Sequence, residues 1–591
     1  MLQTAFFKKI LNKKSLEIDE TKLVYILSFV VGFLSAIAAA FLKNTIHYTH
    51  VFITEGISVN SSNYLYLAYP LFGMLLTMLF VKYVVKDNIS HGVSKILYAI
   101  SQKNGNIKPH NTWSSIVAST LTIGFGGSVG AEAPITLTGS SIGSVIGRFF
   151  KVNNRSLILL VSCGAAGAVS GIFKAPIAGI VFVLEILMLD LTIASIVPLL
   201  ISSVTAATVA HFLMGNQILF SFNITEAFNI QNTHWYILLG IISGFIALYF
   251  SKTTLFLESK FEKIKNQFIR LLTGGLALGA LIYIFPPFYG EGYETIMSLL
   301  QGNTQYIFAN SIFAQFSDNF GIYMLFIASL IILKVVATSA TNGAGGVGGI
   351  FAPSLFIGGI NGLFVAGIFG KLFQTDLPDN IFVFAGMAGM MAGVMHAPLT
   401  AIFLIAEITG GYNLLIPLIM TATAAYITVR SFERHSLYHA ELAKRGELIT
   451  HDKDKAALTR MNWKDEIETD LLTVKPDDTL GYLVKVISKS KRNIFPVVDE
   501  NNILEGIVNL DDVRKIMFNK DLYDSIIVKN IMAVPEIYID VKENIEVAIE
   551  SFKKSGVWNL PVLDNGHYIG FISKSRIFAA YRELLVEYSE E

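Results

Sequence analysis

The sequence predicts an all-α polytopic membrane protein made of two repeats, followed by a soluble α/β tail. Three observations carry that reading: an apolar composition, a duplication inside the apolar part, and a change of pattern after Arg430. Of 591 residues 53% are hydrophobic and 15% charged, and mean hydropathy is +0.55. So much apolar surface points to lipid as one of the solvents, because a bilayer span needs roughly 20 apolar residues.

Lysines at 8, 9, 13, 14 and 22 precede the first span, so the positive-inside tendency puts segment 1–22 in the cytoplasm. An Ala-x-Ala pattern within Ser35–Ala40 mimics a signal-peptidase site, but the apolar stretch is too long for an ordinary signal core and reads as a retained span. Regular spans are expected at Leu23–Leu42, Tyr64–Val81, Trp235–Phe250 and Ile322–Thr338. Less regular runs, interrupted by Gly and Pro, cover Leu157–Phe173, Pro176–Leu189, Ile196–Met214, Phe268–Phe285, Ile350–Leu372, Ile381–Met395, Pro398–Thr409 and Leu414–Val429. Broken backbone at membrane depth must be lined by protein or by a water-filled cavity. The expected divisions are a first repeat over 23–251, a charged linker over 252–267, a second repeat over 268–440 and a further linker over 441–470. If the tail is cytoplasmic, the number of spans is even.

The duplication is explicit. Gly124-Phe-Gly-Gly-Ser-Val-Gly-Ala-Glu-Ala-Pro134 returns as Gly343-Ala-Gly-Gly-Val-Gly-Gly-Ile-Phe-Ala-Pro353, an offset of 219 from Pro134 to Pro353, and Glu132 falls opposite Phe351. A second block repeats Gly164, Gly167, Gly171, Pro176 and Glu185 as Gly386, Gly389, Gly393, Pro398 and Glu407, an offset of 222 from Pro176 to Pro398. Glycine-rich turns that run into helices let backbone amides converge, and a helix start carries partial positive charge that favours anions. Two such starts meeting from opposite sides would make an ion site near the bilayer midplane. Partial charges hold an anion loosely enough for it to leave again.

These residues carry a family resemblance. Gly130-Ala131-Glu132-Ala133-Pro134 resembles the Gly-Arg-Glu-Gly-Pro motif of CLC chloride channels and proton-coupled chloride antiporters, and Gly349-Ile350-Phe351-Ala-Pro353 matches their Gly-x-Phe-x-Pro motif. Tyr438, in Ser436-Leu-Tyr-His439, sits where that family places an anion-coordinating tyrosine, and the runs around Pro176 and Pro398 match as well. The likeness extends from about Leu23 to Ala440. It implies inverted repeats, a homodimer with one anion path per subunit, and chloride or a similar small anion as the transported species. Glu132 is then the gate, its carboxylate competing with the anion for the same amides; the competing reading is a carboxylate that merely caps a helix start. Ile350 and Phe351 are expected to offer backbone amides to the anion. Tyr438 reads as an anion ligand by motif and as an interfacial anchor by residue type.

The chain departs from the family pattern twice. Ser90-His-Gly-Val-Ser-Lys95, aligned on Gly92, puts His91 where the family has an anion-coordinating serine, so His91 is either a pH-sensitive ligand or a structural histidine. Where many antiporters carry a second glutamate as the proton relay, this chain reads Glu185-Ile186. An isoleucine carries no proton, which favours passive conduction over proton-coupled exchange. Glu185 and Glu407 are expected to bond helix ends rather than line the pore.

In the tail, Pro496-Val-Val-Asp499 with Gly506-Ile-Val508 repeats as Pro561-Val-Leu-Asp564 with Gly570-Phe-Ile572. This order resembles a tandem pair of CBS modules, the cystathionine-β-synthase-type regulatory fold, over 471–520 and 529–585. In such pairs a hydroxyl and an acid after the Gly-Ile-Val strand meet an adenine nucleotide. Here the matching residues are Asn509 and Asp512 in the first module and Ser573 in the second, where Arg576 stands at the acid's place. Asp512 reads equally as a helix-start carboxylate.

Other classes fit less well. No basic stripe with interleaved aromatics points to nucleic acid, and no cofactor is required. The single cysteine, Cys163, excludes an intrachain disulfide and a Cys-rich metal site. No His-Glu-x-x-His or Ser/His/Asp pattern supports a membrane enzyme. A CBS-regulated divalent-cation transporter would need convergent carboxylates, whereas Glu132, Glu185, Asp190 and Glu407 are isolated in sequence. The implied location is the cell (inner) membrane.

Overall fold

The computed structural model describes residues 19–54, 65–89, 92–189, 192–215, 229–301, 307–308, 311, 313, 319–444, 461 and 463–589. The chain divides into two compact units, Met1–Glu447 and Leu448–Glu591. His91 and Asp190 lie outside the described residues.

The first unit is helical. In order it contains α1 (Glu20–Thr54), α2 (Leu65–Leu79), α3 (Gly92–Gln102), α4 (Ser114–Gly124), α5 (Glu132–Phe149), α6 (Asn154–Phe173), α7 (Pro176–Ile186) and α8 (Ile193–Met214). There follow α9 (Thr233–Glu262), α10 (Gln267–Ile284), α11 (Tyr293–Leu300), α12 (Phe320–Gly343), α13 (Phe351–Phe373), α14 (Asp379–Met395), α15 (Pro398–Ile408), α16 (Leu415–Arg430) and α17 (Leu437–Lys444). Eight helices among the described residues are long and apolar enough to cross a membrane.

Hydropathy did not single out α4 and α5, which are rich in Ser, Thr and Gly. Both are largely buried within protein rather than lipid, and several of their hydroxyls find carbonyls inside the protein: Thr136 Oγ1 donates to the Glu132 carbonyl at 2.6 Å, and Ser144 Oγ to the Gly105 carbonyl at 2.7 Å. A helix that never meets lipid has no need of an apolar surface. The charged stretch expected as a linker over 252–267 is mostly helix, because α9 runs on to Glu262. Only 263–266 separate it from α10, whose start is capped by Asn266 accepting from the Phe268 amide at 2.9 Å.

The two repeats are inverted, and their hydrogen bonds show it by exchange. Glu185 at the end of α7 accepts from the amides of Leu399 and Thr400 at the start of α15, at 3.0 and 2.7 Å. Glu407 at the end of α15 accepts from Ile177 and Ala178 at the start of α7, at 3.1 and 2.8 Å. Each carboxylate thus meets the positive end of the other half's helix. The preceding helices end alike, with Lys174 and His396 left-handed at φ 57° and 55°, and Pro176 and Pro398 begin the next helices where a missing amide hydrogen costs nothing. Core packing is mirrored as well. α5 meets α6 where Gly139 faces Gly164, and α13 meets α14 where Gly358 faces Gly386, each approach too close for a side chain.

The second unit contains two similar modules. In the first, β1 (Ile494–Val498) pairs antiparallel with β2 (Leu504–Asn509). In the second, β3 (Ile539–Asp540) lies parallel to β4 (Asn559–Asp564), which pairs antiparallel with β5 (His567–Ser573). Four further helices, α18 (Leu480–Lys489), α19 (Leu510–Val513), α20 (Ile545–Ser555) and α21 (Lys574–Ser589), complete the unit. Val498, Leu563, Tyr568 and Phe571 form a core shared by both modules.

Candidate anion pathway

The two glycine turns meet face to face. The Gly130 amide donates to the Gly349 carbonyl at 2.9 Å and the Gly349 amide returns the bond to Gly130 at 2.7 Å. Each turn bends through a glycine with positive φ, Gly126 at 97° and Gly345 at 101°, a conformation open to glycine at little cost. A second exchange locks the turns: Ser128 donates its amide to Thr341 Oγ1 at 3.1 Å, and Val347 donates its amide to Thr122 Oγ1 at 3.0 Å. Thr122 and Thr341, like Ser128 and Val347, are repeat mates at the same offset of 219. Two helix starts, those of α5 and α13, are therefore presented at one buried point.

Glu132 is the first residue of α5, with Ala131 as its cap, and is 3% exposed. Its Oε1 accepts from the Tyr293 hydroxyl at 2.5 Å. The amides of Glu132 and Ala352 bear on the carboxylate, yet neither reaches Oε2 with hydrogen-bond geometry, and Oε2 is left unbonded. Phe351, the first residue of α13, occupies the mirrored position. Its ring is buried and stacks on Phe173 at 5.3 Å between centroids.

Below the paired turns lies a cavity of about 190 Å³ lined by Gly92, Ser94, Ala133, Gly349, Ile350 and Tyr438, with Glu258, Glu262 and Asn342 further along its wall. The structure thus brings Ala133, Gly349, Ile350 and Tyr438 to one space, while Phe351 stands beside it against Phe173. Tyr438 is 8% exposed, and its carbonyl accepts from Ser94 Oγ at 3.0 Å. Pro134 and Pro353 sit inside the first turns of the two helices and are buried.

Several residues here escaped the sequence reading. Ser94, a serine of the first motif, reaches the cavity although the alignment on Gly92 had drawn attention to His91. Glu291 Oε1 accepts from the Ala131 amide at 3.0 Å. Lys334, inside α12 and fully buried, donates to Ser128 Oγ at 2.8 Å and to the Gly290 carbonyl at 3.4 Å, with the Phe356 ring 4.8 Å away. A lysine within an apolar run was the visible signal, since ionisable residues inside a span are costly and rarely idle. Glu291 and Tyr293 gave no such signal, because they lie between spans.

In the second unit, Asn509 and Asp512 cap the same short helix: the Asp512 carboxylate accepts from the Asn509 amide at 3.3 Å and from its side chain at 3.2 Å. Ser573 donates to Glu468 at 3.2 Å, and Glu468 pairs with Arg492 at 2.7 Å.

Inverted halves whose helix starts converge on a buried carboxylate above a small cavity define a membrane protein of the anion-transport class. The chain belongs to the voltage gated chloride channel family, whose model matches residues 72–430, and two CBS domains match residues 464–519 and 528–583. It is 28% identical over 381 residues to a ClcB-like chloride channel protein of Ralstonia nicotianae, covering 64% of this chain and 85% of that one. It is also 28% identical to the H(+)/Cl(-) exchange transporter ClcA of Vibrio parahaemolyticus, covering 70% and 88%. Among solved structures, a slow cyanobacterial Cl-/H+ antiporter aligns with TM-score 0.60 at 22% identity, over 73% of this chain and 99% of that one. That last likeness speaks to the fold alone.

Proposed function

We propose that this protein carries chloride, or a similar small anion, along one path in each subunit of a homodimer, with Glu132 as the gate. The observation that supports this most is the Gly130–Gly349 pairing, which sets two helix starts around the Glu132 carboxylate. A carboxylate and a halide carry the same charge and compete for the same donors, so the side chain blocks the site when ionised and yields it when protonated. In this reading Tyr438 and Ser94 flank the cytoplasmic approach, Glu132 lies on the outer side, and the N-terminus and the tandem modules are cytoplasmic.

Passive conduction is the favoured mode, because Ile186 at the relay position has no proton to give and is buried. One observation supports the second mode, proton-coupled exchange. His439 Nε2 lies 2.9 Å from the Ile186 carbonyl and Nδ1 lies 2.7 Å from Ser436 Oγ, which sets a titratable ring beside the place of the missing acid. Chloride efflux from liposomes with simultaneous proton recording separates the modes. Glu132→Gln and Glu132→Ala are expected to pass chloride while losing most pH dependence. Stoichiometric proton movement by the intact protein would replace the passive mode with exchange, and unchanged flux and pH dependence in both variants would remove Glu132 from the gate.

A further inference from the structure

The segment Tyr289–Tyr293 holds the gate turn at several points. The Tyr289 hydroxyl donates to the Gly124 carbonyl at 3.2 Å, the Gly290 amide meets the Gly126 carbonyl at 3.4 Å, and Glu291 receives the Ala131 amide at 3.0 Å. Lys334 ties Gly290 to Ser128 from below. Against this frame Tyr293, the first residue of α11, reaches the Glu132 carboxylate itself. Tyr293 is half-buried whereas Glu132 is almost wholly buried. Since Oε2 is unbonded, the Tyr293 hydroxyl is the principal side-chain tie on the gate.

We propose that Tyr293 is a latch: a positioning residue whose hydroxyl holds the ionised Glu132 carboxylate in the blocking position and lets the protonated side chain go. The latch rests on the reading of Glu132 as gate. Its physical basis is the pairing of a phenol hydroxyl with a carboxylate, because hydroxyl-to-carboxylate bonds are roughly twice as strong as neutral ones. Protonation of Glu132 removes that charge assistance and weakens the tie when the gate must move. The other groups facing Glu132 are Glu291, which repels its charge, Lys43 on α1, which attracts it, and Tyr438 across the site; Lys334 faces Glu291. Of these, Tyr293 alone is hydrogen-bonded to the carboxylate among the described side chains.

Tyr293→Phe keeps the ring and deletes the bond. In proteoliposome efflux it is expected to raise chloride flux at neutral pH about tenfold, the worth of roughly one charge-assisted bond, and to leave flux at acid pH within about twofold. In a Glu132→Gln background the same change is expected to do nothing, and efflux by the double variant equal to that of Glu132→Gln shows that it folds. A Tyr293→Phe profile that matches wild type, beside an altered Glu132→Gln profile, would overturn the latch and leave the gate standing. If Glu132→Gln itself matches wild type, both fall. An effect of Tyr293→Phe that is equal at every pH, or that persists without Glu132, would assign Tyr293 a structural role and overturn the latch.

Discussion

The first half of the membrane unit begins α5 with Glu132 and the second begins α13 with Phe351, on turns that share a set of reciprocal hydrogen bonds. Gly130 and Gly349 bond each other reciprocally, Ser128 and Val347 each donate to the other half's threonine, and Glu185 and Glu407 exchange helix caps. The scaffold is therefore symmetric while the side chains placed on it are not. Lys334 faces Ser128 and has Ser115 as its mate at the 219 offset, and the Glu132 carboxylate has an aromatic ring for its counterpart. Symmetric hydrogen bonds fix where helix starts meet; asymmetric side chains decide what one of them does.

The comparison breaks most readily at Lys334. Replacing it by Met, of similar length, removes one of the two lysines that face Glu291, Lys43 being the other, and deprives Ser128 of a donor. A loss of about 3–5 kcal/mol is expected, the cost of breaking one side of a buried charged contact, read as thermal unfolding in detergent. Adding Glu291→Gln should recover most of it. A Lys334→Met protein as stable as wild type would show that the asymmetric charges are ornaments on a scaffold that stands alone.

The exchanged caps give a middle-sized test of symmetry. Glu185→Ala and Glu407→Ala should each cost about 1–2 kcal/mol. Glu185 should cost the more, because it also receives the Thr400 hydroxyl at 2.7 Å. If one substitution is silent and the other severe, the halves are not energetic equivalents.

The smallest effect is expected at Asp87, which lies outside the spans and pairs with Lys108 and His110, each at 3.0 Å. Partial burial opposes its charge, but the hydrogen bonds from Lys108 and His110 outweigh it and hold the carboxyl below its usual range. A carboxylate so held stabilises the fold above its unfolded value, and the contribution disappears as pH falls through the lower folded value. Asp87→Asn should therefore lower stability by less than about 1 kcal/mol at neutral pH. Well below pH 3.8 the difference from wild type should vanish.

Much of the fold was legible because hydropathy and repetition are local properties. The spans at Leu157–Phe173 and Ile381–Met395 correspond to α6 and α14 within three residues at either end. The serine-rich helices α4 and α5 were not legible as spans, since protein surrounds them and hydropathy measures suitability for lipid. At the site, the glycine-proline motifs pointed to Glu132 and Ile350, but Ser94 was overlooked in favour of His91 in the same motif, and Glu291 and Tyr293 lie between the apolar spans, where hydropathy marks nothing.

From the sequence alone followed a membrane protein of duplicated halves, a carboxylate in one of its two glycine-proline motifs and a tandem module after the last span. Each of these is written in composition, spacing or a contiguous motif. Only the tertiary structure decided that the starts of α5 and α13 touch, that the two halves cap each other, and that Glu291, Tyr293 and Lys334 gather around residues 128–132. Those contacts join residues more than 150 positions apart, and such meetings are set by how helices pack rather than by any pattern along the chain.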